Sequence, residues 1–133
     1  MGRTQRIRVA IVDDQSVFAL AFRRLIENAG MEVVGVAPSV EQGVALVTRE
    51  APDVAVVDYM LPDGLGTEVA QRVGDAASPA RIVLASGTDT LEARKAAANA
   101  GCVAFVGKTD AVHALVPAVR RAAALDNGSV TPE

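Results

Sequence analysis

Three carboxylates, a hydroxyl and an ammonium stand where apolar runs of this chain end. Asp13 and Asp14 follow the run 7–12, Asp58 follows 54–57, Ser86 follows 82–85, and Lys108 follows 103–107. In a parallel α/β sheet all strand C-termini open on one edge, and ligands bind there. Residues distant in sequence would then meet in one pocket. Like charges about 4 Å apart repel by about 4 kcal/mol at an effective dielectric near 20, so the acidic cluster is costly unless a cation joins it. A hard divalent ion with oxygen ligands, such as Mg2+, is the natural partner. Lys108 is a compact positive charge suited to a phosphoryl oxygen or a bare carboxylate. Ser86 can donate to the same oxygens. The chemistry indicated is a divalent metal beside a phosphoryl group.

The elements that must position these residues alternate along the chain. Runs rich in Val and Ile predict strands at about 7–12, 32–37, 53–57, 81–86 and 103–107. Several are apolar throughout, as strands covered on both faces are. Between them lie amphipathic segments. Phe18, Phe22, Leu25 and Ile26 recur at helical spacing, predicting a helix over about 16–29 that Gly30 stops. Further helices are expected over about 39–50 with Ser39 as N-cap, about 67–74 after a loop at 61–66, about 90–100 with Thr90 as N-cap and Gly101 as stop, and about 111–125. Five βα units imply an α/β fold with a doubly wound, five-stranded parallel sheet of flavodoxin-like strand order. Right-handed crossovers place helices on both faces.

The chain has 133 residues, the size of one domain. Hydrophobic residues make up 50% and aromatics 3%, so the core must be built from Val, Ala, Leu and Ile. The net charge of -3 argues against nonspecific nucleic-acid binding. The single cysteine, Cys102, excludes an intrachain disulfide and fits a reducing compartment. No apolar run approaches the roughly 20 residues of a membrane span, and 1–8 lacks the apolar stretch of a signal peptide. The expectation is a soluble cytoplasmic domain over 1–125, with a C-terminal tail at 126–133.

Val-Asp-Asp at 12–14, Val-Val-Asp at 56–58, Leu-Pro-Asp-Gly at 61–64, Ser86 and Lys108 resemble the receiver domain of bacterial two-component response regulators. The resemblance covers about 6–125. Each motif alone is weak; in order and at these spacings they are specific. The resemblance implies that Asp58 accepts a phosphoryl group from a phosphohistidine of a sensor kinase. It implies that Asp14, Asp58 and the backbone carbonyl of Met60 bind Mg2+ directly, with Asp13 acting through water. Ser86 and Lys108 would hold phosphoryl oxygens, and Phe105 matches the aromatic position whose rotamer follows the switch. Such a domain is a phosphoacceptor rather than an enzyme acting on a separate substrate. The family dimerises through the fourth and fifth helices with the last strand, or through the first and fifth helices. Residues 127–133 resemble the linker that enters a LuxR-type helix-turn-helix domain, so transcription control through an attached output domain is the expected setting. The alternative is a stand-alone receiver acting through a protein partner or as a phosphate sink. A metal-dependent phosphatase of the haloacid-dehalogenase type wants Asp-x-Asp and a cap insertion, which the adjacent Asp pair and short connections disfavour.

Singly, these residues also have ordinary readings. Asp13 and Asp14 could cap the first helix, Asp58 could be a turn residue, Ser86 structural and Lys108 solvated; their coincidence is what points to a site. His113 reads as an exposed helix residue, Cys102 as a buried small apolar side chain, Tyr59 and Phe105 as core, and Asp63-Gly64 as a turn. Asp53 reads as a turn or cap residue. Two residues depart from the family pattern. Pro117 falls within the fifth helix, which must start late or bend. Met60 places a bulky apolar side chain two residues after Asp58, where it bears on phosphoryl hydrolysis. The fourth and fifth helices carry Ala96, Ala97, Val112, Val119, Ala122 and Ala123 beside Arg94, Lys95, Arg120 and Arg121, a candidate dimer patch but too few cations for DNA.

Overall fold

The protein is described as a computed structural model over residues 6–125. The tail at 126–133 and residues 1–5 lie outside the described residues, so the linker expectation is not addressed by it. In chain order the elements are β1 (Arg8–Val12), α1 (Ser16–Asn28), β2 (Glu32–Ala37), α2 (Val40–Glu50), β3 (Val54–Asp58), β4 (Met60–Leu61), β5 (Gly64–Leu65), α3 (Gly66–Asp75), β6 (Arg81–Ser86), α4 (Leu91–Asn99), β7 (Ala104–Gly107) and α5 (Ala111–Ala124). A 3-10 turn, Lys108–Asp110, leads into α5.

The main sheet has the order β2-β1-β3-β6-β7, with every neighbour parallel. This is the flavodoxin-like order expected from the five βα units. Its order reverses between β1 and β3, which opens a crevice at their C-terminal ends. The period-2 geometry of strands explains the two cores. Val9 and Ile11 point to one face with Val54, Val56, Val83 and Ala85, where α1 and α5 pack through Phe22, Ile26, Leu115 and Val119. Ala10 and Val12 point to the other with Ala55, Val57, Ile82 and Leu84, where α2 and α3 pack through Leu46, Val47, Val69 and Val73. β3 is buried along its whole length, which is why its sequence is apolar up to Asp58. Gly43 lets α2 lie directly on Val12, since a Cβ there would come 2.7 Å from the valine Cγ1.

The capping signals act as expected. Ser39 Oγ accepts from Gln42 N at 3.1 Å and Thr90 Oγ1 from Ala93 N at 3.1 Å. Gly30 and Gly101 adopt φ of 87° and 89° after α1 and α4. Asp53 fastens the lower end of the sheet, its Oδ2 accepting from Arg8 N at 2.8 Å.

The structure corrects or sharpens four expectations. The segment expected as a loop at 61–66 contains the antiparallel β4–β5 hairpin, because Pro62-Asp63 turn the chain sharply enough for Met60 to face Leu65. Asp58 ends its strand as expected, and β3 spans Val54–Asp58 rather than the expected 53–57. α5 does not start late; it begins at Ala111 and runs through Pro117, which lies on the exposed side where water can serve the carbonyl that loses its donor. Part of the candidate patch on the fourth and fifth helices had to be core, and that part is Ala97, Val119 and Ala122, which face the sheet.

Candidate functional site

β1 and β3 are hydrogen-bonded neighbours with Val12 opposite Val57, so Asp13 and Asp58 emerge side by side in the crevice. Asp13 is pinned by its backbone, whose N–H donates to Ala37 O at 2.9 Å, and its Oδ1 accepts from Gln15 N at 2.9 Å. Asp58 is held through the next residue: Tyr59 N donates to Ala85 O at 2.8 Å, and Gly66 N donates to Tyr59 O at 2.7 Å. Asp13 and Asp58 are buried and Asp14 is exposed. Each offers one carboxylate oxygen to a group lying within 4.8 Å.

Lys108 reaches this group from the far end of β7. It is 5% exposed. Its Nζ lies 2.9 Å from Asp13 Oδ2 and 3.1 Å from Asp58 Oδ2, and donates to Gln15 Oε1 at 2.6 Å. The Phe18 ring covers it with the centroid 4.4 Å away. A buried ammonium needs partners of this kind. One lysine, however, leaves three carboxylates with two charges in excess. Burial first, and the Asp13 charge second, push the Asp58 carboxyl up to about 6, against the Lys108 hydrogen bond and charge. Asp13 Oδ2 is buried and takes no hydrogen bond, although it touches Lys108 as an ion pair. An all-oxygen group with excess negative charge and an under-used buried oxygen fits a hard divalent cation.

The group opens into a cleft of about 270 Å³ lined by Asp14, Gln15, Asp58, Met60, Ser86, Gly87, Thr88 and Lys108. The expected residues Asp14, Asp58, Met60, Ser86 and Lys108 therefore share one space. Met60 is 66% exposed at its rim. Ser86 is buried and engaged in its own loop, donating to Thr88 O at 2.7 Å and accepting from Thr88 N at 3.2 Å. Phe105 is not in the cleft. It lies half-buried in a separate depression with Ala97, Cys102 and Val103, under the Arg94 guanidinium at 4.6 Å. Cys102 is half-buried, and burial pushes its thiol up to about 11, which keeps it protonated. His113 is exposed as expected.

Sequence reasoning missed Gln15, Phe18 and Thr88. A polar residue before a helix reads as a cap, and an aromatic at helical spacing reads as core. It also missed the reach of Asp63, whose carboxylate accepts from Val40 N at 2.8 Å and Glu41 N at 3.2 Å. The turn after the site thereby caps α2, and the Val40 bond holds the Asp63 carboxyl below its usual range.

The model of the family described as the response regulator receiver domain matches residues 9–120. The chain belongs to the response regulator receiver family. Among curated relatives, the uncharacterized transcriptional regulatory protein YxjL of Bacillus subtilis is 33% identical over 119 residues, covering 89% of this chain and 55% of that protein. The virulence-factor transcription regulator BvgA of Bordetella pertussis is 28% identical, covering 85% of this chain and 54% of that protein. The LuxR-family two-component response regulator of Aurantimonas sp. SI85-9A1 superposes with a TM-score of 0.85 at 28% identity, over 90% of this chain and 86% of that one. The chain spans about half the length of the transcription regulators it matches. As a receiver it is the signal-accepting part of a two-component system. No helix among its described residues is long and apolar enough to cross a membrane.

Proposed function

We propose that this receiver takes a phosphoryl group from a sensor histidine kinase onto Asp58 and passes the change to an attached DNA-binding output domain. The observation that carries the reading is the placement of Asp58: its carboxylate stands in the cleft beside the Asp13–Asp14 pair, and the Lys108 ammonium bridges it to Asp13. Asp14, Asp58 and the Met60 carbonyl would hold Mg2+, with Asp13 acting through water. When bound, the ion supplies the positive charge that the carboxylates and incoming phosphoryl oxygens lack. Asp58 is then the nucleophile. Transfer needs positioning and charge neutralisation more than a protein base. Lys108 exchanges Asp58 Oδ2 for a phosphoryl oxygen. Ser86 leaves Thr88 for another, which draws its loop inward and permits Phe105 to follow.

The partners in this reading are the kinase and a second copy of the chain, with no DNA contact by the receiver itself. Relatives of about twice the length that are described as transcription regulators support the transcription setting. A cytoplasmic site of action follows from the same setting.

Intact mass after incubation with acetyl phosphate and Mg2+ tests the core of it. One phosphoryl group is expected, absent with chelator and absent in Asp58→Asn. Persistent modification of Asp58→Asn would refute the assignment.

A further inference from the structure

Gln15 makes the shortest polar contact to Lys108, 2.6 Å from Nζ to Oε1. An ammonium has three hydrogens and no acceptor. Three oxygens stand around this one: Gln15 Oε1, Asp13 Oδ2 at 2.9 Å and Asp58 Oδ2 at 3.1 Å, while the Phe18 ring lies 4.4 Å away. The amide must present its oxygen, because its NH2 would set donor against donor. The Gln15 backbone N–H donates to Asp13 Oδ1, and the residue lies exposed at the cleft, where its side chain is held by the Lys108 bond.

We propose that Gln15 is a positioning residue for phosphoryl transfer. Its carbonyl oxygen anchors the Lys108 ammonium so that the hydrogen directed at Asp58 Oδ2 is the one handed to the phosphoryl oxygen. The inference rests on the phosphoacceptor reading of Asp58. In the transfer an Asp58 oxygen forms a bond to phosphorus as the donor's bond breaks, and the leaving group takes the electron pair. Lys108 keeps its proton and exchanges its Asp58 contact for the phosphoryl oxygen, while the Gln15 hydrogen bond and the Asp13 ion pair hold it in place. A preset ammonium needs no reorganisation as charge develops. Without the Gln15 oxygen, the carboxylates alone hold Lys108, and one of its hydrogens is left unpaired in a place nearly closed to water.

Gln15→Met keeps the side-chain length and removes both polar atoms; Gln15→Glu keeps an oxygen at the same reach. The first readout is the 15N–1H signal of the Lys108 ammonium in metal-free protein. It is expected to be protected from exchange in the parent, lost in Gln15→Met and kept in Gln15→Glu. The second is the initial rate of labelling by acetyl phosphate with Mg2+ at several donor concentrations. The maximal rate of Gln15→Met should fall about tenfold, as for loss of one hydrogen bond to a charged group, with the half-saturating concentration unchanged. A Gln15→Met protein that keeps the ammonium signal and the parent rate overturns the proposal. So do equal losses in Gln15→Met and Gln15→Glu, which would mark Gln15 as merely structural. A parent that takes no label overturns the phosphoacceptor reading beneath it, while the ammonium signal still decides whether Gln15 holds Lys108.

Discussion

Gly66, the first residue of α3, is packed so tightly on Asp58 that a Cβ there would overlap the Asp58 carbonyl oxygen and come 2.9 Å from Val57 Cγ1. Its N–H meanwhile donates to Tyr59 O. The helix start and the strand end are thus joined back to back, and the absence of a side chain at Gly66 is what lets the Asp58 backbone sit there. Gly66→Ala is expected to cost about 1–3 kcal/mol, as overpacking does, and to weaken the thermal shift given by Mg2+. Gly74 in the same helix faces open space, so Gly74→Ala should be neutral or stabilise by up to about 1 kcal/mol. Urea unfolding of the two variants with and without Mg2+ checks both. Equal effects would show that the contact with Asp58 has no special consequence.

The raised Asp58 carboxyl makes metal-free stability depend on pH in an unusual direction. Unfolded, the group titrates near about 3.9; folded, it titrates at about 6. Between those values the folded protein holds a proton that the unfolded chain has lost. Stability from this group therefore falls as pH rises from about 4 to about 6, and the full penalty, on the order of 3 kcal/mol, is present above that. The exposed carboxylates Glu41, Asp63 and Asp89 are shifted down and act with the opposite sign, so the useful quantity is a difference. The parent minus Asp58→Asn stability, from urea unfolding without metal, should be more favourable at pH 5 than at pH 7.5. A flat difference would contradict the raised value.

Much of the fold and cleft was legible because parallel strands announce themselves as apolar runs and their C-terminal residues converge by topology. Asp13, Asp58, Ser86 and Lys108 needed no further information to be placed on one edge. What stayed hidden is what depends on contacts across the fold. Gln15 and Lys108 are 93 positions apart, and nothing in a glutamine before a helix tells that a lysine will arrive there. Asp63 caps a helix 23 positions upstream, whereas its sequence neighbourhood reports only a turn. Phe105 carries a switch role on resemblance alone, and its strand position, opposite Leu84, turns it toward α4 and away from the cleft.

Arg94 grips the loop that carries Ser86 and covers Phe105 with the same guanidinium. Its Nε and Nη2 donate to Asp89 at 2.6 and 2.9 Å, and its carbon lies 4.6 Å from the Phe105 centroid. Any inward movement of the loop must carry Asp89 and loosen this grip. Arg94→Ala is therefore expected to move the amide and ring signals of Phe105 in unmodified protein part of the way toward their positions with beryllofluoride and Mg2+. Ser86→Ala should bind the mimic yet leave Phe105 unshifted. The connection fails if Arg94→Ala leaves Phe105 unchanged, or if Ser86→Ala shifts as the parent does.

Self-association should follow the same route. With Ala97, Val119 and Ala122 committed to the core, the large apolar residues exposed on α4, α5 and just before β7 are Leu91, 68% exposed, Val112, 70%, and Val103, 41%. Val103 and Phe105 line one depression with Arg94, so a change at Phe105 alters the ground between α4 and α5. The competing face is α1, where Val17 and Leu20 are 77% and 50% exposed. In a two-fold dimer each substitution is felt twice. Losing about 1 kcal/mol of apolar burial per copy would weaken association by more than about tenfold. Sedimentation with and without beryllofluoride should show a dimer strengthened by the mimic, lost in Leu91→Asp and Val112→Asp and kept in Val17→Asp. The reverse pattern would move the interface to α1, and identical constants with and without the mimic would separate modification from association altogether.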